Sequence, residues 1–121
     1  MTTDLRRSWP PPSSPKPIVV IGAGGIVRDA HLPAYRKADF KVCAIHDIDS
    51  DKATRMAGDW DIPAVFKTLE DAVDANGTNA VYDLALPPDA IAGTLKHLEA
   101  GSAVLIQKPM GADLDGARAI R

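Results

Sequence analysis

Five short apolar runs, separated by segments with helical character, constrain the fold of this chain more than any other feature. The runs are residues Ile18–Ile21, Val42–His46, Ala64–Phe66, Ala80–Leu84 and Ala103–Ile106. Short, nearly continuous apolar runs are typical of strands that are buried on both faces of a parallel sheet. Since parallel strands are joined by right-handed crossovers, the alternation predicts an α/β fold with a doubly wound parallel sheet.

The segments between these runs predict five helices. They cover about residues 25–37, 52–58, 69–74 and 89–100, and a last helix follows its expected N-cap, Asp113. Pro33 is expected to kink or split the first helix because proline lacks a backbone donor. Asp49 and Ser50 offer N-caps for the second helix, and Gly101 is placed to cap the C-terminus of the fourth.

The length and composition predict one folded domain. The chain has 121 residues, and five of its ten prolines lie within residues 10–17. Residues 1–17 are therefore expected to form a disordered, proline-rich tail, and residues 18–121 a single dinucleotide-binding domain. Because the chain ends inside a predicted helix and supplies five strands rather than six, we expect this domain to be truncated.

The composition disfavours several classes of function. The net charge of −2, without a Lys/Arg cluster in the folded part, argues against nucleic-acid binding. No apolar stretch reaches the roughly 18 residues that a membrane span needs. The single cysteine, Cys43, excludes an internal disulfide and is compatible with a cytoplasmic location.

The three histidines are not spaced as metal ligands, and no metal site is predicted. His31, beside the first glycines, is expected either to pack against their loop or to approach a bound phosphate. His46 is expected to point outward and to contact the adenine side of a nucleotide. His97 lies off the apolar stripe of its helix and is expected to be solvated.

The first strand leads directly into the glycine-rich segment Gly22-Ala23-Gly24-Gly25-Ile26. Gly22 permits a tight turn, and Gly24 lets the backbone approach a phosphate group. The following helix start offers free N–H groups and the positive end of its dipole to a pyrophosphate. Val27 replaces the third glycine of the dinucleotide fingerprint and is expected to push the helix slightly outward. A strand-to-helix turn without a ligand is the alternative.

Asp47 ends the second strand, 25 residues after Gly22, near the spacing of a ribose-binding acid. A carboxylate at this position accepts hydrogen bonds from both ribose hydroxyls and repels a 2′-phosphate. Because no arginine adjoins Asp47, the sequence favours NAD over NADP. The alternative is that Asp47 is only an acid at the start of the second helix.

The fifth strand is followed by Gln107-Lys108-Pro109, at the edge of the sheet where ligands bind. Lys108 can hydrogen-bond a cofactor ribose, or it can polarise a hydroxyl or carbonyl of a substrate. The alternative is a surface lysine that precedes a turn.

Together, these segments resemble the Gfo/Idh/MocA oxidoreductases over residues 17–121. The resemblance rests on the glycine loop, on His31-Leu32-Pro33-Ala34, on Asp47, on Leu86-Pro87-Pro88 and on Lys108-Pro109. It implies an NAD(P)-binding Rossmann domain. It also implies a second α/β domain, absent from this chain, that supplies most of the substrate site, the acid-base residues and the contacts of a homo-oligomer.

The resemblance implies that Lys108 is catalytic, often with a cis bond before Pro109. It also implies that Leu86, Pro87, Gln107 and Lys108 contact the cofactor together with the glycine loop and Asp47. Two departures from the family pattern bear on catalysis. Gln107 replaces a glutamate, which removes a negative charge beside Lys108, and Ile91 stands where many members have a histidine.

The predicted function is hydride transfer between NAD and a sugar-like or small hydroxylated substrate, performed by a full-length parent protein. This chain alone is expected to be inactive. Two alternatives keep the fold: a non-catalytic module that binds or senses NAD, and an assembly domain that binds no nucleotide.

Overall fold

The computed structural model describes residues 10–121, which form a parallel sheet with helices on both faces. The strands are β1 (Ile18–Ile21), β2 (Val42–His46), β3 (Ala64–Phe66), β4 (Val81–Leu84) and β5 (Ala103–Ile106). All pair in parallel, in the order β3-β2-β1-β4-β5. The predicted doubly wound α/β fold is confirmed, and the predicted strand bounds differ only at the start of β4.

The helices are α1 (Leu32–Lys37), α2 (Ser50–Trp60), α3 (Leu69–Asn76), α4 (Pro88–Leu95) and α5 (Leu114–Ile120). Asp49 caps α2, because its side chain accepts hydrogen bonds from the backbone N–H groups of Asp51 and Lys52. Asp113 caps α5 by accepting from the backbone of Gly116. Both N-cap predictions for aspartates are thus confirmed.

The fourth helix is shorter than predicted. It ends at Leu95, and the next residues form tight turns in which His97 N–H donates to the Thr94 carbonyl and Leu98 N–H to the Leu95 carbonyl. Gly101, with φ of +89°, lies in the turn before β5 and does not cap α4. The prediction of a helix to residue 100 was therefore wrong, because the apolar spacing of Leu95 and Leu98 also suits a turn that packs on the sheet.

A π-helical turn at Val27–His31 leads into α1. In this turn, the backbone N–H of Leu32 donates to the carbonyl of Val27, five residues earlier in the chain. Pro33 lies in the first turn of α1, where its missing donor costs little. The predicted interruption near Pro33 thus takes the form of a widened turn before the proline, while residues 25–37 stay helical.

Two apolar clusters lie on the two faces of the sheet. Successive side chains of β1 point to opposite faces of the sheet. Val20 packs toward α1 and α2, whereas Val19 and Ile21 pack toward α3 and α4. This explains the continuous apolar sequence of β1. The edge strand β5 is covered on one face only, because Val104 and Ile106 pack inward while Leu105 is 50% exposed.

Residues 10–16 are exposed and have no helix or strand. Lys16 donates to the Thr78 carbonyl at 3.0 Å, and Pro17 accepts from the backbone of Val81 as the chain enters the sheet. The predicted disordered tail and the domain boundary at residue 18 stay predictions, and residues 1–9 lie outside the described part. Within residues 10–121, no helix is both long and apolar enough to cross a bilayer.

Candidate functional site

The carboxyl ends of β1, β2, β4 and β5 bring the predicted site residues to one edge of the sheet. Gly22 follows β1, Asp47 follows β2, Leu86 lies just beyond β4, and Gln107 follows β5. The strand order reverses between β1 and β4, where successive connections run in opposite directions. In open α/β sheets such a reversal opens a crevice that ligands occupy.

Gly22 is a requirement of the fold itself. Its φ is +109°, and a Cβ built on it lies 2.3 Å from the carbonyl oxygen of Ala85. Its N–H donates to the His46 carbonyl at 2.7 Å, which ties the end of β1 to the end of β2. No side chain fits between β1 and the segment after β4, so this glycine serves the close approach of two backbones.

Gly24 and Gly25 are exposed and are not needed for packing. A Cβ on Gly24 meets nothing within 4 Å, and a Cβ on Gly25 meets only side-chain atoms of Arg28 and Asp29, at 3.8 and 3.9 Å. Because the fold does not demand glycine here, the open backbone fits a group that approaches from outside. A pyrophosphate held by N–H groups at a helix start is such a group.

A cleft of about 400 Å³ adjoins this loop. It lies between the loop and α2, and its lining includes Ala23, Gly24, Gly25, Arg28, Lys52, Arg55, Met56 and Asp59. Arg28 is paired with Asp29 at 2.9 Å, and this hydrogen bond lowers the pKa of the Asp29 carboxyl. Lys52 and Arg55, three residues apart on α2, are basic residues that the sequence analysis did not single out.

The Asp47 side chain holds the glycine loop by a hydrogen bond. Its Oδ2 accepts from the backbone N–H of Ala23 at 2.7 Å, and its Oδ1 accepts from the backbone of Asp49 at 2.8 Å. Since Asp49 is the N-cap of α2, Asp47 is not the capping acid of that helix. The carboxylate is half-buried, and the neighbouring Ile48 is 97% exposed.

The Gln107–Lys108 segment lies at the other end of the edge, beyond β4. Gln107 N–H donates to the Leu84 carbonyl at 3.3 Å, and the Lys108 side chain is exposed. The Lys108–Pro109 peptide bond is cis, in agreement with the expectation from the resemblance. Leu86 is half-buried and packs near Gly22, and Pro87 is exposed just before α4.

A buried polar network connects α1 to this segment. Asp83, in the middle of β4, is 1% exposed. Its Oδ2 accepts from the Tyr35 hydroxyl at 2.6 Å and lies 2.7 Å from His31 Nδ1. His31 Nε2 lies 3.1 Å from Gln107 Oε1.

The sequence analysis missed Asp83 and Tyr35. An acid inside a run predicted to be buried on both faces was the available signal, because such an acid needs partners. His31 and Tyr35 lie four residues apart on one helical face and supply those partners.

The histidine predictions had mixed outcomes. The prediction that His46 points outward toward adenine was wrong: the ring is buried, and its Nδ1 lies 2.8 Å from the Phe66 carbonyl on the neighbouring strand. His31 contacts Asp83 and Gln107 rather than the glycine loop. His97 is 46% exposed, with Nδ1 3.4 Å from Glu70 Oε1. Among residues 10–121, no group of three or more His, Cys, Asp or Glu side chains is arranged to hold a metal.

In Tyr35→Phe, the stability of the folded domain is expected to depend less on pH above pH 10 than in the wild type. Burial, followed by the hydrogen bond to Asp83, raises the pKa of Tyr35 well above its usual value of 10.0. The folded chain therefore keeps this proton at a pH at which the unfolded chain has lost it. This contribution to stability is complete below about pH 10 and is lost as the pH rises further.

Urea unfolding of both proteins between pH 8 and 11 measures this effect. The free energy of unfolding should fall less steeply above pH 10 in Tyr35→Phe than in the wild type. Equal slopes would show that the Tyr35 hydroxyl does not retain its proton in the fold. Some slope should persist in the variant, because burial also raises the pKa of Tyr82.

Comparison with known proteins agrees with this geometry. The sequence profile of an oxidoreductase family with an NAD-binding Rossmann fold, Gfo/Idh/MocA, matches residues 16–121. An uncharacterized protein of Saccharomyces cerevisiae is 33% identical over 112 residues, which are 88% of this chain and 32% of the yeast protein.

Solved structures share the fold. An oxidoreductase from Thermotoga maritima superimposes with a TM-score of 0.79 at 22% identity, covering 88% of this chain and 34% of the other. A myo-inositol dehydrogenase from Lactobacillus casei, solved with NAD(H) and myo-inositol, gives 0.76 at 24%, covering 88% and 32%. A 3-ketoreductase from Actinomadura kijaniata, solved with NADP, gives 0.68 at 23%, covering 88% and 33%.

The chain thus spans about a third of the length of the relatives it matches. The family profile, in contrast, covers nearly all of the described residues, including the glycine loop, Asp47 and the Gln107–Lys108 segment. The chain belongs to the Gfo/Idh/MocA oxidoreductase family and carries its NAD-binding Rossmann domain.

Proposed function

We propose that this chain binds NAD across the carboxyl edge of its sheet and presents it to a sugar-like or small hydroxylated substrate for hydride transfer. The observation that carries the proposal is the contact between the Asp47 carboxylate and Ala23 N–H, beside the open backbone of Gly24. This contact joins Asp47, which we assign to the adenosine ribose, to the loop that we assign to the pyrophosphate.

The dinucleotide would lie along the edge in the order of the strands. Asp47, after β2, accepts the hydroxyls of the adenosine ribose, and Ile48 offers an exposed apolar surface to the adenine. The backbone of Gly24, Gly25 and Ile26 donates to the pyrophosphate after β1. Leu86, Pro87, Gln107 and Lys108, after β4 and β5, contact the nicotinamide half.

When bound, the nicotinamide supplies the hydride chemistry. The protein's part is to bind and orient, and Lys108 is the residue of this chain that we assign to catalysis. Its exposed ammonium donates to the substrate oxygen whose carbon exchanges the hydride. The matched relatives are about three times as long as this chain. We propose that a further substrate domain completes the enclosure of the substrate and forms the homo-oligomer.

The preference for NAD over NADP follows from charge. The Asp47 carboxylate repels a 2′-phosphate that replaces one of its ribose partners. Lys52 and Arg55 line the neighbouring cleft, and their positive charges favour a 2′-phosphate. Asp59 lines the same cleft and opposes that attraction. We therefore expect NADH to bind more tightly than NADPH, with a discrimination that depends on Asp47.

Titration of the purified chain with NADH and NADPH, followed by NADH fluorescence, tests the proposal. Asp47→Ala should weaken NADH binding about 10- to 100-fold, because two hydrogen bonds to a charged acceptor are lost. Asp47→Asn is the matched variant. It keeps an oxygen acceptor for Ala23 N–H but removes the charge, so it should mainly reduce the discrimination against NADPH.

Equal affinity of the wild type for both nucleotides would contradict the NAD preference. If the wild-type chain bound neither nucleotide, the proposal that this domain holds the cofactor would be wrong. Unfolding of each variant by urea is the control, since the loss of the Ala23 contact in Asp47→Ala also loosens the loop.

A further inference from the structure

A cavity of about 370 Å³ lies at the end of the sheet opposite to the glycine loop. Lys41 and Pro63, which line it, come directly before or just before β2 and β3, so it opens at the amino ends of these strands. The glycine loop and Asp47 follow the carboxyl ends of β1 and β2. The cavity is therefore separate from the cofactor site proposed above.

The lining of this cavity is rich in aromatic side chains. Tyr35, Phe40 and Trp60 line it, and all three are half-buried. Half of the six aromatic residues of the chain thus lie around one surface cavity, which we call the aromatic cavity. Aromatic-lined clefts of roughly 300–1,000 Å³ are typical of binding sites, and proline-rich segments commonly dock on aromatic surfaces.

Charged side chains form the rim of the aromatic cavity. The guanidinium of Arg36 is already engaged, because it lies 4.4 Å from the centre of the Trp60 ring. Asp39 and Asp61 are exposed, and neither forms an ion pair with any of residues 10–121. Lys41 is exposed at the same rim. Two carboxylates are thus available to cationic groups that approach from outside.

The proline-rich N-terminal segment enters the sheet at the rim of this cavity. Ile18 N–H donates at 2.8 Å to the carbonyl of Lys41, a residue of the lining. Residues 10–16 are exposed, and the chain bends at Ser13 and Ser14. Residues 10–17 span up to about 25 Å in a polyproline conformation, whereas β2 and β3 lie about 5 and 10 Å from β1. A side chain at position 9 is therefore within reach of the cavity.

Trp9, at the other end of this connection, has the chemistry that suits the cavity. It is the only aromatic residue among residues 1–17, and Arg6 and Arg7 precede it closely. An indole ring buries about 150–250 Å² and packs well against other aromatic rings. Five prolines within residues 10–17 restrict the connecting backbone, which reduces the entropy lost when the segment docks.

We propose that Trp9 docks in the aromatic cavity of its own chain, with the arginines at positions 6 and 7 beside the exposed carboxylates of the rim. The docked segment covers the C-terminal ends of α1 and α2 and leaves the cofactor edge open. This docking does not depend on NAD binding. It differs from the sequence-based expectation that residues 1–17 are disordered, and the following experiments decide between the two.

Nuclear Overhauser contacts of the Trp9 ring test the docking directly. The chain has two tryptophans, so the indole N–H signal that disappears in Trp9→Phe belongs to Trp9. In the wild type, this indole should show contacts with ring protons of Tyr35 or Phe40. Its N–H should also exchange with water more slowly than in the urea-unfolded chain. A Trp9 indole without such contacts, and with the exchange rate of the unfolded chain, would overturn the proposal.

Sedimentation distinguishes docking within one chain from docking between two copies. The wild type should sediment as a monomer at the concentrations at which the Trp9 contacts are observed. A dimer that dissociates in Trp9→Ala would assign the aromatic cavity to the Trp9 of a second copy. That result would overturn docking within the chain.

Trp9→Ala should lower the midpoint of urea unfolding by roughly 0.5 M, because the docked ring no longer covers the cavity. Phe40→Leu keeps an apolar side chain but removes one aromatic ring of the cavity. In that background, Trp9→Ala should have less than half of its effect, since both changes remove the same contact. Leu114→Ala, at an apolar residue that is 66% exposed and lies outside the cavity, is the matched control and should leave the midpoint unchanged. Equal midpoints of the wild type and Trp9→Ala would contradict the docking.

NADH titration keeps this proposal distinct from the proposed function. Trp9→Ala should bind NADH as tightly as the wild type, because the aromatic cavity and the glycine loop lie at opposite ends of the strands. A weaker affinity would show that the N-terminal segment acts at the cofactor edge, and would overturn its assignment to the cavity. If the wild type binds no NADH but shows the Trp9 contacts, the proposed function is wrong and the docking stands.

Discussion

Gly22→Ala should destabilise the domain by about 3 kcal/mol or more, through backbone strain and a steric clash acting together. The position has φ of +109°, which side chains rarely adopt, and the new Cβ would lie 2.3 Å from the Ala85 carbonyl oxygen. Neither β1 nor the segment after β4 can yield easily, since Ala85 N–H donates to the Ile21 carbonyl at 2.9 Å. The midpoint of urea unfolding should fall sharply, or the variant should fail to fold.

Gly24→Ala, two residues along the chain, is the matched control for stability and the test for binding. Its new Cβ meets nothing within 4 Å, so the free energy of unfolding should change by no more than about 0.5 kcal/mol. NADH affinity should nevertheless fall at least about tenfold, because the methyl group occupies the space that a phosphate needs. A folded Gly24→Ala chain with wild-type affinity would contradict the assignment of this loop to the pyrophosphate.

The strands could be predicted from the sequence because their physical cause is local. A strand covered on both faces is apolar at nearly every position, and the run at Ile18–Ile21 shows this directly. The helix bounds were less predictable. The end of α4 at Leu95 and the π turn at Val27–His31 depend on how these segments pack against the rest of the fold. The neighbouring sequence carries no signal for that packing.

The adenosine side of the candidate site could also be predicted, since it is built from residues whose spacing along the chain is fixed by one βαβ unit. Asp47 contacts Ala23 of the glycine loop because adjacent parallel strands end at one edge. Their roles toward a ligand remain proposals.

The network of Asp83, Tyr35, His31 and Gln107 could not be predicted in the same way. It joins positions 31, 83 and 107, which approach each other only when β4 pairs with β1 and β5 pairs with β4. The surroundings of His46 likewise could not be predicted from its neighbours in the sequence. Its position next to Asp47 suggested a nucleotide contact, yet the register with β3 places it on the Phe66 carbonyl instead.

Lys108 differs from this network because it has an exposed side chain and is not needed by the fold. Its neighbour Gln107 contacts β4 through the Leu84 carbonyl and the π-helical turn before α1 through His31. The backbone that carries Lys108 is therefore held while its ammonium group is free to meet a ligand. A residue placed this way should affect the reaction much more than stability.

In the full-length protein that we propose to transfer hydride with this domain, Lys108→Ala should lower kcat about a hundredfold or more, because a positioned proton donor or charge at the substrate oxygen is lost. NADH affinity of the isolated chain should change far less, and its urea unfolding should be unaffected. Lys108→Arg keeps the charge and should recover part of the activity. Lys96→Ala, at an exposed lysine just after α4, should leave kcat at the wild-type value. Unchanged turnover in Lys108→Ala would exclude Lys108 from catalysis, and a loss equal to that of Lys96→Ala would show that any lost lysine has the same effect.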